Sequence, residues 1–334
     1  MQKILEIDGL KTYFFTDSGV VRAVDDVGLD VQEGSVVGVV GESGCGKTVM
    51  ARSILNIIEK GGRIVSGRIV YHKGAETVDI ASLKPTGAAI KRIRGREIAM
   101  IFQEPMTSFS PVYTIGNQIM EMLMVHRRLG ATEARRMATE MLTRVGMSKP
   151  EQRIDEYPHQ LSGGMRQRAM IAMALSCDPR LLIADEPTTA LDVTIQSQII
   201  ELLKRLQQEL STSIIMITHD LGVIAEIADE VVVMYLGKVV EQAPVRKLFR
   251  DPLHPYTSAL LRSIPRLGRK VEGRLPSIKG TIPDVRDLPP GCYFHPRCES
   301  FIPGVCDAAL PELRAADDDH RARCVLVNGV NADD

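Results

Sequence analysis

The run Gly41-Glu42-Ser43-Gly44-Cys45-Gly46-Lys47-Thr48 fits the pattern G-x-x-x-x-G-K-[ST]. Glycines at those places let backbone N–H groups close around phosphate oxygens, and a helix starting there adds the positive end of its dipole. Lys47 is placed to reach the β- and γ-phosphates of a nucleotide, and Thr48 to set its hydroxyl on Mg²⁺. Gly41, Ser43, Gly44, Cys45, Gly46, Lys47 and Thr48 are therefore expected to contact ATP, with Cys45 a small tolerated side chain rather than a reactive thiol. A second group follows at Leu181-Leu182-Ile183-Ala184-Asp185-Glu186. Four apolar residues ending in two acids place the acids at the C-terminal edge of a buried strand, where α/β sheets bind ligands. Asp185 is expected to hold Mg²⁺, directly or through water, and Glu186 to polarise the water that attacks the γ-phosphate.

Those two groups are shared by many nucleotide enzymes. Leu161-Ser162-Gly163-Gly164-Met165-Arg166-Gln167 separates them. It reads as another anion-binding helix start, with Ser162 as N-cap and Gly163 and Gly164 exposing backbone N–H groups. Here the chain resembles the ABC ATPase family, whose signature is LSGGQ-like, with Met165 where Gln is commonest. The resemblance covers roughly Ile4 to Phe249. It implies a P-loop NTPase of the RecA-like α/β type, with an antiparallel β subdomain, an inserted helical subdomain and a loop-rich C-terminal extension. It also implies that Gln160, Ser162, Gly163, Gly164 and Asp192 serve ATP held by a partner subunit. By the same resemblance Gln103 is the Q-loop residue, Ala190-Leu191-Asp192 the D-loop and His219 the switch histidine at the γ-phosphate. Phe14, with Tyr13 as the near alternative, takes the place of the aromatic that stacks on adenine. Glu186, His219 and Gln103 form the catalytic set.

Chromosome-maintenance ATPases use the same head but need a long coiled-coil insertion, and ribosome-associated ABC factors need two heads in one chain; neither feature is present. Phe102-Gln103-Glu104-Pro105-Met106-Thr107-Ser108, Tyr157-Pro158-His159-Gln160, His254-Pro255-Tyr256-Thr257 and Gly291-Cys292-Tyr293-Phe294-His295-Pro296-Arg297-Cys298 are similar to the dipeptide and oligopeptide importer ATPases. The Met-Arg-Gln form of the signature resembles the first of the two unlike ATPase subunits that such importers use. The implied partners are a second homologous ATPase subunit, two transmembrane permeases and an extracytoplasmic solute-binding protein, at the cytoplasmic face of the inner membrane. Importers of oligosaccharides, nickel complexes or opines are the alternative, and a non-transport ABC ATPase a more distant one. Cys292, Cys298, Cys306 and Cys324 are spaced C-x5-C-x7-C-x17-C, without the tight pairs usual for zinc. Four thiolates on looser loops suit a [4Fe–4S] cluster, which the resemblance supports; zinc, or reduced unligated thiols, are the alternatives.

The elements that must position these groups are legible as alternating buried strands and helices. Ser35 to Val40, Leu181 to Ala184, Ile214 to Thr218 and Glu230 to Met234 are short apolar runs of the kind buried on both faces of a parallel sheet. Val49 to Ile58 and Ile195 to Leu210 read as helices, and Phe109 to Asp178 is mainly helical and Met-rich. The expected domains are an ATPase domain at 1–250, with its helical subdomain at about 105–178, and an extension at 251–334 rich in Pro and Gly. With 41 basic against 42 acidic residues and a net charge of −1, general nucleic-acid affinity is not expected. MQKILEIDGLK has no long apolar stretch, so no secretory signal is expected. The apolar runs are strand-sized, and any membrane role must come through partners. Lys91 to Arg96 reads as a solvated basic face.

Overall fold

Strand propensity and burial set the frame. In a computed structural model describing residues 2–103, 108–189, 191–264 and 278–327, the strands in chain order are β1 (Lys3–Thr16), β2 (Gly19–Gln32), β3 (Val36–Val40), β4 (Gly62–Lys73), β5 (Glu76–Asp79), β6 (Ile98–Ile101), β7 (Leu181–Asp185), β8 (Ser213–Ile217), β9 (Glu230–Tyr235), β10 (Lys238–Pro244), β11 (Arg314–Ala315) and β12 (Arg321–Ala322). The chain divides into two units: Met1–Leu5, Val31–Val36 and Tyr71–Ile217 make the first, and Glu6–Asp30, Val37–Val70 and Thr218–Asp334 the second.

In the first unit β6, β7 and β8 run parallel, with Ile101 opposite Ala184 and Asp185 opposite Ile217. Every residue of these strands is buried, as a parallel sheet covered on both faces requires. Between β6 and β7 the chain makes the helices Ile115–Arg127, Ala131–Arg144, Pro150–Arg153 and Gly163–Leu175, in the stretch the sequence marks as helical. Their apolar positions recur at helical spacing: Ile115, Ile119 and Leu123 on one, Ala134, Ala138, Met141 and Leu142 on the next, all buried. The helix Val193–Leu210 follows β7, and its stripe of Ile199, Ile200, Leu203 and Leu206 is buried.

In the second unit β2, β1 and β4 lie side by side in that order. A separate set begins with β3, which pairs in parallel with β9, Val40 opposite Val233. Strand β10 returns antiparallel to β9. The extension is loop-rich, with two two-residue strands that attach it to the sheet: β12 pairs with β10, Glu241 opposite Ala322, and β11 pairs with β12. What docks it is a buried polar joint rather than a long apolar strand. His320 Nε2 lies 2.8 Å from Glu241 Oε1, and the same carboxylate accepts the N–H groups of Leu253 and His254 at 2.7 and 2.9 Å. Glu241 has no exposed surface, so these partners are what makes a carboxylate tolerable there. The helix expected to run to Ile58 ends at Ile54. Asn56 takes a left-handed φ of 52°, and Ile57 N–H closes on the carbonyl of Arg52 at 2.9 Å, a helix-ending turn that apolar periodicity does not reveal.

Candidate functional site

In the second unit β3 is wholly buried and delivers the chain into the glycine loop. Two glycines there are obligatory. A Cβ at Gly41 would stand 2.2 Å from the carbonyl oxygen of Met234, and one at Gly46 would stand 2.1 Å from that of Ala23. Gly46 also has a φ of 102°, which only glycine adopts without strain. The helix Lys47–Ile54 starts immediately after it with no side-chain cap on its first N–H groups, the arrangement that a phosphate oxygen can satisfy. Lys47 is buried, and its ammonium folds back across the loop, donating to the carbonyls of Gly41 at 2.8 Å and Glu42 at 3.1 Å. Ser43 and Gly44 are exposed at the loop's tip and Thr48 is half-buried. Burial pushes the Cys45 thiol above its ordinary value, against the opposing pull of the Lys47 ammonium.

Strand alternation divides the aromatics of β1. The ring of Phe14, half-buried, lies beside Gly62 with Ile58, and both would collide with a Cβ there. Tyr13 and Phe15 instead face a cavity of about 790 Å³ shared with Val20, Arg22 and Tyr293. The Tyr13 hydroxyl donates to Asp25 at 2.7 Å, and burial followed by that carboxylate pushes its pKa up to about 12. His219 is exposed at the end of β8. The preceding Thr218 N–H bonds the carbonyl of Val39 at 3.2 Å, and the following Asp220 caps the helix Leu221–Ile227 through the N–H groups of Gly222 and Val223.

The extension grips this loop. Arg297 Nη1 and Nη2 donate to the two carboxylate oxygens of Glu42 at 2.6 and 3.0 Å, and the Tyr256 hydroxyl accepts the Glu42 N–H at 2.8 Å. Glu42, Tyr256 and Arg297 occupy no position that the nucleotide motifs mark. A signal did exist, in that Tyr256 and Arg297 lie inside the His254–Thr257 and Gly291–Cys298 stretches. Cys292, Cys298, Cys306 and Cys324 line one pocket together with His254, Phe294 and His295. The Ile302 N–H donates to the Cys306 sulfur at 3.4 Å, and the backbone N–H groups of Phe294, Ser300 and Leu326 act to lower the thiols of Cys292, Cys298 and Cys324. Burial outweighs those amides and pushes the Cys292 thiol up to about 11, with Cys298 and Cys324 also raised. Among the described residues no three His, Cys, Asp or Glu side chains form a group able to hold a single metal ion.

The first unit carries the acids. Asp185 closes β7 and is 1% exposed. Glu186 has a left-handed φ of 48°, held by its N–H bond to the carbonyl of Ile217 at 2.8 Å. That conformation is costly for a non-glycine residue, of order 1–3 kcal/mol, and such strain gathers at functional sites. The Glu186 carboxylate accepts Gln103 Nε2 at 3.1 Å and the Thr189 hydroxyl at 2.8 Å. The parallel register of β6 and β7 brings Gln103, two residues past Ile101, to the acids at the strand ends. Thr189 belongs to none of the sequence motifs; only its hydroxyl three residues after Glu186 could have marked it.

Ser162 N-caps the helix Gly163–Leu175 by accepting the N–H of Met165 at 3.3 Å, and it is exposed. Gly164 is close to Ile195: a Cβ there would meet it at 3.0 Å. Gln160 caps its own turn, accepting the Tyr157 N–H at 2.8 Å, and Asp192 accepts the Ile195 N–H at 3.0 Å. Gln160 and Asp192 are both exposed. Ala190, Glu104, Pro105, Met106 and Thr107 lie outside the described residues.

Residues 24–189 match the family model described as ABC transporter, and residues 240–306 match the one described as Oligopeptide/dipeptide transporter, C-terminal region. A protein of Brucella abortus (strain 2308) named for peptide import, as an ATP-binding protein, is 51% identical over 331 residues, 97% of each chain. The oligopeptide transport ATP-binding protein AppD of Bacillus subtilis (strain 168) is 50% identical over 327 residues, covering 98% of this chain and 97% of its own. Among solved structures, the ATP-binding cassette MJ0796, a dimer in a post-hydrolysis state bound to ADP and Pi, is similar with a TM-score of 0.63 and 25% identity, covering 72% of this chain and 99% of that one.

Proposed function

The chain belongs to the ABC transporter ATP-binding proteins, and from that membership we propose that it is the ATP-hydrolysing subunit of an importer for di- and oligopeptides. The observation that carries this is the cradle itself, a loop whose Gly41 and Gly46 admit no side chain and which leads into an uncapped helix start at Lys47. The C-terminal region and the relatives at half identity favour peptides over oligosaccharides, nickel complexes or opines.

In this reading Lys47 leaves its loop carbonyls for the β- and γ-phosphates as ATP enters. Tyr13 is the adenine platform in place of Phe14, because Tyr13 lines the open cavity whereas Phe14 lies beside Gly62. Thr48 and Asp185 would hold Mg²⁺; a hydroxyl and a carboxylate are the hard oxygen donors that ion prefers, and it would neutralise phosphate charge. Glu186, oriented by Gln103 and Thr189, takes the proton of the attacking water, and His219 contacts the γ-phosphate. The exposed N-terminus at Ser162, Gly163 and Gly164, with Gln160 and Asp192, reaches ATP held by a second, unlike ATPase subunit. Residues 1–250 form the ATPase head and 251–334 the extension. Among the described residues no helix is long and apolar enough to cross a membrane. In this reading work is passed to two permease subunits at the cytoplasmic face, which draw cargo from a solute-binding protein.

The four tail cysteines are read as ligands of a [4Fe–4S] cluster. Support comes from four sulfurs around one pocket, with backbone N–H groups that would stabilise thiolate charge.

The test is the assembled importer in liposomes. Glu186→Gln should retain ATP binding while hydrolysis and peptide uptake fall together by at least about 100-fold. Undiminished turnover would remove Glu186 from the base role, and uptake of peptide by an ATP-free importer would remove the coupling.

A further inference from the structure

Glu42 places a carboxylate at the second position of the glycine loop. Left unneutralised, that charge would repel an incoming polyphosphate. Two contacts from the extension, 214 and 255 residues away in sequence, deal with this one position. The Arg297 guanidinium takes both carboxylate oxygens in a fork, neutralising the charge and drawing it off the loop. Tyr256 occupies the Glu42 N–H, fixing the backbone at the second residue of the loop.

Both gripping residues are themselves held. The Arg297 side chain is 4% exposed, its Nε donates to the carbonyl of Lys279 at 3.1 Å, and its Nη1 reaches the Tyr235 hydroxyl at 3.3 Å. Tyr256 is fully buried against Tyr235 and Phe294, with ring centroids 4.7 and 5.3 Å away. Arg297 ends the short turn His295–Arg297, and the next residue is Cys298 of the four-sulfur pocket. That turn is tied by Arg297 N–H to the carbonyl of Phe294 and by Cys298 N–H to that of His295. A fork of this kind tolerates little displacement, so a shift of the Cys292–Cys298 segment must register at Glu42.

We propose that the extension sets the nucleotide affinity of its own chain: Arg297, acting through Glu42, is a positioning residue of the phosphate cradle, and the four-cysteine pocket that holds the Arg297 turn is thereby coupled to MgATP binding. The proposal rests on reading the cradle as the ATP site. The regulation it describes is local to one chain, through a salt link between the loop and the tail.

The experiment measures MgATP affinity of the full chain by displacement of a fluorescent ATP analogue. Arg297→Gln should raise Kd about tenfold, Arg297→Lys should restore part of the loss, and Glu42→Gln with Arg297→Gln should bind within about threefold of the parent because no carboxylate is left to neutralise. In the assembled importer KM for ATP should rise while kcat at saturating ATP holds, a split that general unfolding would not produce. Cys298→Ser should weaken binding in the parent and add nothing in the Arg297→Gln background. Parent-like affinity of Arg297→Gln, or a double variant no better than Arg297→Gln alone, would overturn the role of Arg297. Additive losses with Cys298→Ser would overturn the coupling to the pocket. Lys47→Ala is the control for the underlying reading: if it alone abolishes binding, the cradle assignment stands whichever way Arg297 falls.

Discussion

Gly46→Ala and Gly44→Ala differ in one respect that the loop geometry makes measurable. Both positions are left-handed, with φ of 102° and 79°. At Gly44 nothing lies within 4 Å of an added Cβ, whereas at Gly46 the Cβ would stand 2.1 Å from the carbonyl oxygen of Ala23. Gly44→Ala therefore carries backbone strain alone, about 1–2 kcal/mol. Gly46→Ala adds a backbone collision that can be relieved only by moving the loop or β2, comparable to the 1–3 kcal/mol typical of overpacking. The sum is about 3 kcal/mol against the cradle conformation, and at about 1.4 kcal/mol per factor of ten that is a loss of roughly 100-fold in ATP affinity, against roughly 5- to 30-fold for Gly44→Ala. Isothermal titration with MgATP, beside thermal unfolding of each variant, reads both quantities. If Gly46→Ala bound ATP as well as Gly44→Ala does, the loop would not hold the described conformation when it binds nucleotide, and the reasoning would fail.

Thr189→Val removes the hydroxyl that holds Glu186, and should lower kcat about tenfold with ATP affinity unchanged; single-turnover hydrolysis beside equilibrium binding checks it, and an unaltered kcat refutes it. His254 is wholly buried, and burial lowers its pKa from 6.5 to about 3, its Nδ1 accepting the Tyr256 N–H. Because the unfolded chain takes up that proton first, this contribution to stability is whole above about pH 6.5 and is lost as pH falls toward 3, about 2 kcal/mol between pH 7 and 5. His254→Asn, which keeps a capping acceptor, should flatten that part of the urea-unfolding profile; an unchanged pH slope would count against it. Protein purified without oxygen should be brown and carry about four irons per chain, as read by absorbance and iron analysis, and a colourless, zinc-loaded preparation would overturn the cluster.

What could be read from the residues alone follows from how locally each piece is encoded. The cradle is eight consecutive residues after a buried strand, and Asp185 and Glu186 end another, so strand, turn and chemistry lie in one window. The helical insertion also shows locally, through its apolar stripes at helical spacing. Which β1 aromatic lies beside Gly62 does not, because Gly62 is far from Phe14 in sequence. Thr189 is close to Glu186 in sequence, yet its role depends on Glu186 adopting φ of 48°, which no propensity for glutamate predicts.

The extension is the extreme case. Its composition is that of a loop, and its described residues bury few apolar side chains, so hydrophobic periodicity has little to report there. Its order comes instead from polar joints to distant residues: His320 to Glu241, Arg297 to Glu42, Tyr256 to the Glu42 N–H. Each joint is paired across a long stretch of chain, and a buried pair is far costlier to break at one end than to omit altogether. Such joints are therefore poor candidates for mere stability, where an apolar contact would serve as well. They are suited to fixing one geometry: His320 and Glu241 fix β10 against the turn at Leu253 and His254, and Arg297 and Tyr256 fix the glycine loop at Glu42.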